Sequence, residues 1–464
     1  MSKKLKELAA QQQITRRSFF KAGTAAVAAS SLVVTGCCPT GKKGVETAVD
    51  QVGNSSKVRL TRTLGRTGFQ VADVTMGCGR IQEANVVRNA YDRGVNLFDT
   101  AEAYGNGDSE TKIGEAMRFL DREKIFIVTK LPIEPETTKQ DIIDRFGKCL
   151  ERLQTTYADA LYMHGVADVS LVTHADFHAA VEQLKADGKL KHRGISSHGP
   201  MGEEPDSMEK VLCAAAEDGR FDAMLLSYNF MNQEEGEKVL ACCKANNVGT
   251  TGMKMAPGVL EVLEYDEANP HEDYAGYINR VVEGGGTKEE AVQRILAYIE
   301  RQRAAMEPTL PFTEKWGIKT QEELDLKSVQ WVLRNPDMHT VCVSMPDFDS
   351  LDKYLPLSGT TLSARDEEFL NDYKLAYNKL YCRHGCTGCW SQCPHGLSVS
   401  TIMRYSYYFS RQGREKFAMR KYARLGTKNA GHCFDCSAPC LSACPHGIDV
   451  QANLLKAHTL LSWA

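Results

Sequence analysis

Eight short apolar and β-branched runs recur between residues 71 and 345, separated by longer amphipathic stretches. The runs are Val71–Met76, Val95–Phe98, Ile125–Thr129, Ala160–Met163, His192–Ile195, Ala223–Leu226, Val248–Met253 and Thr340–Val343. Helical patterns between them include Glu83–Tyr91, Lys112–Leu120, Lys139–Leu153 and Phe177–Ala186. Strands joined by helical crossovers pair in parallel, and eight such units predict an α/β chain closed into a (β/α)8 TIM barrel. An open doubly wound sheet is the rival. It calls for a glycine-rich phosphate loop after its first strand, where this chain has Met76-Gly77-Cys78-Gly79-Arg80.

In a barrel, chemistry sits on the loops that follow strand C-termini. Asp99-Thr100-Ala101-Glu102-Ala103-Tyr104-Gly105 follows the second run, Lys130 the third and His164 the fourth. Any one of these alone reads as a solvated or rim residue. Together they form an acid–base set at one mouth. A tyrosine with a free pKa of about 10 is a poor acid at neutral pH; a nearby ammonium is expected to lower it, and a carboxylate to keep that ammonium charged.

These blocks, with Leu64-Gly65-Arg66-Thr67-Gly68, Thr129-Lys130, Met163-His164 and Gly194-Ile195-Ser196-Ser197-His198, resemble the aldo-keto reductase family in order and position, from about Arg59 to Leu355. The resemblance implies a catalytic tetrad of Asp99, Tyr104, Lys130 and His164. Tyr104 would protonate a carbonyl oxygen, Lys130 and Asp99 would tune it, and His164 would orient the carbonyl while nicotinamide delivers hydride. The resemblance also implies cofactor contacts from Ser196, Ser197, an aromatic stacking surface at Tyr228, and Ser344 after the last strand. Asp347 and Asp349 follow Ser344, and the first cation there is Lys353, so NAD is favoured over NADP, with weak or absent nicotinamide binding as the alternative.

Half of the 16 cysteines lie in two quartets, Cys382, Cys386, Cys389, Cys393 and Cys433, Cys436, Cys440, Cys444, each ending in Cys-Pro-His-Gly. Close runs of cysteine ending in Cys-Pro hold 4Fe-4S clusters in bacterial ferredoxins. Zinc sites pair short knuckles across a longer gap, and disulfide frameworks staple small domains that lack a core, so neither fits as well. Two 4Fe-4S clusters in a mostly helical, ferredoxin-like domain are expected, with crossing of Cys393 and Cys444 to the opposite trio favoured over two self-contained quartets. Cys78, Cys149, Cys213, Cys242, Cys243 and Cys342 read as small core residues, Cys78 near the mouth.

Thr15-Arg16-Arg17-Ser18-Phe19-Phe20-Lys21 before a short apolar stretch reads as a twin-arginine export signal, and Val34-Thr35-Gly36-Cys37 as a lipidation box on Cys37. The domains expected are a signal over 1–36, a tether over 37–57, a barrel over 58–360 and a two-cluster domain over 361–464. Residues 258–326 read as an insertion in the barrel, a lid, a dock or a helical decoration. With 56 basic and 59 acidic residues there is no electrostatic case for nucleic acid.

The chain therefore reads as an exported iron-sulfur oxidoreductase, periplasmic or lipid-anchored on the outer face of the cytoplasmic membrane. Its partners would be a small carbonyl or alcohol substrate and an electron-exchanging protein or quinone-linked partner. The alternative is a membrane-tethered electron carrier or redox sensor with an idle barrel.

Overall fold

The computed structural model describes residues 56–199, 206–257, 264–270, 272–283, 285–317, 321–412 and 414–462. The expected export signal, Cys37 and all but the end of the tether lie outside the described residues.

A hairpin comes first, β1 (Thr61–Thr63) antiparallel to β2 (Gln70–Ala72). Strand and helix then alternate: β3 (Val74–Gly77), α1 (Ala84–Asp92), β4 (Leu97–Asp99), α2 (Asp108–Met117), β5 (Phe126–Leu131), α3 (Lys139–Leu153) and β6 (Ala158–Met163). The series continues with α4 (Ala175–Ala186), β7 (Leu190–Ser197), α5 (Met208–Asp218), β8 (Ala223–Ser227), α6 (Gln233–Ala245) and β9 (Gly249–Met253). Helices α7 (Glu272–Glu283), α8 (Lys288–Met306), α9 (Leu310–Trp316) and α10 (Gln321–Leu333) precede the last strand, β10 (Thr340–Ser344). Strands β3 to β10 close into an all-parallel barrel, β10 pairing with β9 on one side and β3 on the other. The expected (β/α)8 barrel is the fold.

One strand differs. Val71–Met76 is two elements, because Asp73 interrupts it and its buried carboxylate accepts from Ser358 Oγ at 2.5 Å and Gly359 N at 2.9 Å. The barrel therefore begins at Val74, and the residues before it belong to the hairpin.

Side chains alternate across a strand, and that alternation builds the mouth. Leu97, Phe126, Val128, Ala160, Tyr162, Ala223 and Leu225 fill the barrel interior, with Leu64 and Val71 of the hairpin region packed among them. Two residues beyond Leu97, Val128 and Tyr162, on the same inner faces, come Asp99, Lys130 and His164. Phe98, Ile127, Leu161, Met224 and Leu226 point the other way, into the helix layer. Gly194 leaves room for an inner ring: a Cβ there would stand 2.2 Å from Tyr162.

After the barrel, α11 (Phe348–Tyr354) and α12 (Ala364–Tyr377) lead to a helical lobe of α13 (Val399–Gln412), α14 (Glu415–Ala423), α15 (Cys440–Ala443) and α16 (Val450–Leu461). Leu397, Ile402, Tyr405, Tyr408, Ala418, Tyr422 and Leu454 form its core together with Cys389, Cys433 and Cys440. Within the insertion, Tyr274, Ile278, Ala291, Ile295 and Ile299 pair α7 with α8. Helix α9 docks on α12, with Phe312 5.5 to 5.7 Å from the rings of Phe369, Tyr373 and Tyr377.

Candidate active site

The tetrad residues meet at the C-terminal mouth. Lys130 is fully buried at the end of β5, and its Nζ donates to Asp99 Oδ1 at 2.5 Å and to Thr100 O at 2.7 Å. It also lies 4.9 Å from the centre of the Tyr104 ring, which meets His164 edge-on at 5.6 Å. A tight turn presents Tyr104: Gly105, Asn106 and Gly107 all have positive φ, a conformation that suits glycine and asparagine. The turn is fixed below by Thr100 Oγ1 to Ser109 Oγ at 2.7 Å and Ser109 Oγ to Cys78 O at 2.8 Å.

Burial opposes the charge of Lys130, but Asp99 and Tyr104 outweigh it and hold the ammonium in its charged form. Burial likewise raises the Asp99 carboxyl, against the pull of Lys130. For Tyr104 burial wins, and its phenol is pushed up to about 12 although Lys130 acts to lower it. The expected ammonium effect is present; desolvation exceeds it. His164 is pushed down to about 3, first by burial and then by Lys130 and Lys421, so its imidazole is neutral. Cys342, expected as a plain core residue, stands beneath this group with its thiol hydrogen-bonded to Asp99.

Among the expected cofactor contacts, Tyr228 turns away from the mouth. Tyr228 points outward, 1% exposed, packed 5.1 Å from Trp331 with its hydroxyl accepting from Asn335 Nδ2 at 3.0 Å. This corrects its reading as a stacking surface, and alternation along β8 explains it: Leu225 faces in, so Leu226 and Tyr228 do not share that face. Ser196 Oγ accepts from Gly165 N at 2.9 Å and bonds Met163 O, tying down the loop that bears His164, while Ser197 Oγ accepts from Gly199 N. Ser344 is exposed at the end of β10. Asp347 caps α11 through Ser350 N, and Lys353 is paired with Glu322 at 2.9 Å.

The helical lobe lies over the mouth. Arg404 Nη2 donates to His198 O at 2.8 Å, Lys254 Nζ donates to Tyr408 Oη at 2.8 Å, and a Cβ on Gly199 would stand 2.7 Å from Gly385 Cα. Arg414 feels both Tyr408 and Tyr104. Sequence reading missed Lys254, Arg404 and Arg414. Lys254 had a signal, since it follows a strand just as Lys130 does.

The eight lobe cysteines act on one another across the two sequence quartets, Cys389 feeling Cys386, Cys444 and Cys440. Burial raises the Cys382 thiol, with Cys386, Cys389 and Cys444 next in effect. Burial and then Cys393, Cys440 and Cys436 push Cys433 up to about 12. Pro445, next to Cys444, lies against the first quartet's loop: a Cβ on Gly388 would meet its Cδ at 2.7 Å. His395, beside Cys393, stacks on His432 at 4.6 Å. Among the described residues no three His, Cys, Asp or Glu converge as ligands of a single ion do. Elsewhere Cys213 and Cys242, expected in the core, form a disulfide between α5 and α6, because two half-buried positions on adjacent helices face each other.

The chain matches the Aldo/keto reductase family over residues 75–366. It is 27% identical over 205 residues to Probable aldo-keto reductase 1 of Glycine max, covering 40% of this chain and 56% of that protein. It is 27% identical over 186 residues to Aldo-keto reductase YhdN of Bacillus subtilis, covering 38% and 53%. The chain thus spans about half the length of the curated relatives it matches. Among solved structures it is similar to aldo-keto reductase AKR11C1 from Bacillus halodurans (holo form), at 19% identity and a TM-score of 0.48, covering 70% of this chain and 99% of that one. With the family match taking in well over half of its residues, this chain belongs to the aldo/keto reductase family.

Proposed function

We propose that this protein is an exported oxidoreductase that interconverts a carbonyl and an alcohol, with Tyr104 as general acid and with electrons exchanged through two 4Fe-4S clusters. The observation that carries the reading is the seating of the cysteine-bearing lobe on the tetrad's mouth, where Gly385, between Cys382 and Cys386, touches the loop after β7. The donor chemistry fits. Each cysteine of a cubane binds its own iron, so the four stand apart rather than converging on one point. Cys382, Cys386 and Cys389 with Cys444 suit one cluster, and Cys433, Cys436 and Cys440 with Cys393 the other. Amide N–H groups of Leu397 and Ile448 donate to Cys393 Sγ and Cys444 Sγ at 3.5 and 3.4 Å, as cluster thiolates require. Clusters held there supply one-electron transfer.

In the barrel, Lys130 and Asp99 form a buried pair that holds a positive charge beside Tyr104, and neutral His164 offers a hydrogen bond to the substrate oxygen. Tyr104 Oη would give its proton to that oxygen while the carbonyl carbon takes up a hydrogen and an electron pair, either as hydride from a bound nicotinamide or as two electrons passed singly from the clusters with a proton from water. These residue roles hold with or without a bound nicotinamide, which Ser196 and Ser197 at the mouth would help to hold. Export is supported by the twin-arginine pattern and by the Cys213–Cys242 disulfide, a bond that persists in oxidising compartments.

Anaerobic purification with iron and sulfide counts tests the clusters, and Tyr104→Phe tests the acid. About eight iron per chain is expected. Tyr104→Phe should keep that iron and lose carbonyl turnover by roughly 10²- to 10⁴-fold. Iron near zero, or turnover unchanged in Tyr104→Phe, would sink the proposal.

A further inference from the structure

We propose that the cations gathered where the helical lobe meets the barrel mouth bind an oxyanion of the substrate, so that the carbonyl or alcohol reaching Tyr104 belongs to an acid or a phosphate ester rather than to a neutral sugar or aldehyde. The inference rests on the oxidoreductase reading for the identity of the ligand as substrate.

Arg404 is 2% exposed, and only its Nη2 is used, on His198 O; its Nε and Nη1 have no partner among the described residues. Lys254 holds the strained φ of 54°, which a non-glycine residue keeps only where its surroundings impose it. Its ammonium lies 4.7 Å from the Tyr408 ring centre, and the Arg414 guanidinium lies 5.3 Å from the same ring. Lys421 extends the group towards His164, whose imidazole feels it.

The strongest charges acting on Lys254 are Tyr408, Arg404 and Arg414; on Arg414, Tyr408, Tyr104 and Arg80; on Lys421, Arg424, Tyr408 and Arg414. No carboxylate is among them. Burial first, and cationic neighbours after it, hold Lys254, Arg414 and Lys421 below their ordinary values. Arg404 is buried and Lys254, Arg414 and Lys421 half-buried, and cations withdrawn from water without a counter-charge are costly, which a bound oxyanion would supply.

These groups are not the counter-charge of the first cysteine set. Arg383 has that place, facing Cys382, Cys386 and Cys444, whereas no cysteine is among the strongest influences on Lys254, Arg414 or Lys421. Guanidinium forks beside an ammonium match carboxylate and phosphate geometry.

Titration calorimetry on the full cluster-bearing chain would compare gluconate with glucose, and inorganic phosphate with ADP-ribose. Gluconate should bind roughly 10- to 100-fold more tightly than glucose. Arg414→Gln and Lys421→Gln should each bring that ratio towards one, and ADP-ribose should bind no more tightly than phosphate. Arg404→Gln is read beside its melting temperature, since Arg404 also ties lobe to barrel. Equal binding of gluconate and glucose, or no binding of either gluconate or phosphate, overturns the proposal. So does tight ADP-ribose binding that Arg414→Gln abolishes, which would assign the cations to a dinucleotide. Binding is read without turnover, so an anion held by a chain that reduces no carbonyl would break the oxidoreductase reading and leave the site standing.

Discussion

The two Cys-Pro-His-Gly loops are alike in backbone and unlike in surroundings. In each, the glycine has positive φ and its N–H returns to the cysteine carbonyl at 3.1 Å, for Gly396 to Cys393 and Gly447 to Cys444. Each is then followed by a helix, α13 or α16. The trios they serve differ. Arg383 and His384 of the first trio's segment are buried, with Gly385 pressed on the barrel loop. Phe434 of the second is 52% exposed and Asp435 beside it is exposed. On the proposed function, two alike cluster loops become one inner and one outer through docking on the barrel, and electrons then have an outer port and an inner terminus.

The largest effects come from breaking the crossed pairing. Cys444→Ser and Cys393→Ser should each leave about four of eight iron atoms. Only Cys444→Ser should disconnect the barrel, with carbonyl turnover falling roughly 100-fold or more. Adding Cys386→Ser to Cys444→Ser should remove no further iron, because both changes strike the inner set. If the quartets are self-contained, that double variant loses all its iron, and the inner-and-outer distinction goes with it.

A smaller effect separates the two sets by charge. Arg383, 5% exposed, faces Cys382, Cys386 and Cys444, and the residue after the first cysteine of the second trio is Phe434. Arg383→Gln removes a buried positive charge beside the inner set, so the reduction potential of one cluster should fall by on the order of 100 mV while the other holds. Redox titration followed by electron paramagnetic resonance reads both. Equal shifts in the two signals would make the trios electrostatically alike.

The barrel side of the seam should also respond to acid. His164, held down to about 3, and His198, well below its ordinary value, both owe their shifts first to burial. The unfolded chain takes up their protons below about pH 6.5 and the folded chain does not, so stability is full above that pH and falls as pH drops towards the folded values. The loss should approach about 1.4 kcal/mol per pH unit for each ring. Denaturant midpoints between pH 7.5 and 5.5 test it; a flat profile would mean the seam is wet.

The barrel and the meeting of Asp99, Lys130 and His164 at its mouth were legible because each rests on a local rule. Period-two alternation puts Asp99, Lys130 and His164 on inner faces, and the chain itself displays that period. The same rule, carried one residue further along β8, turns Tyr228 outward, against the family resemblance. What stayed hidden depends on which surfaces meet. Arg404 and Tyr408 lie one helical turn apart on α13, but nothing in the heptad around them says that this face covers a barrel. Cys213 and Cys242 are 29 residues apart on two amphipathic helices, and only the packing of α5 on α6 brings them together.

The smallest expected effect tests the outer port. Phe434 at 52% and Leu441 at 40% exposure are large apolar side chains left at the surface of the second trio's segments. A partner protein that delivers electrons there would cover them, and a rim side chain carries a modest share of such an interface. Phe434→Ser should therefore slow reduction by a limiting protein donor roughly threefold, with little change when the donor is saturating. Dithionite, a small reductant that needs no docking surface, should reduce the variant and the parent at the same rate. A slowdown with dithionite as well would place the fault in the cluster rather than at its surface. No slowdown with either donor would leave the second loop exposed without a role, and would move electron entry to the inner side.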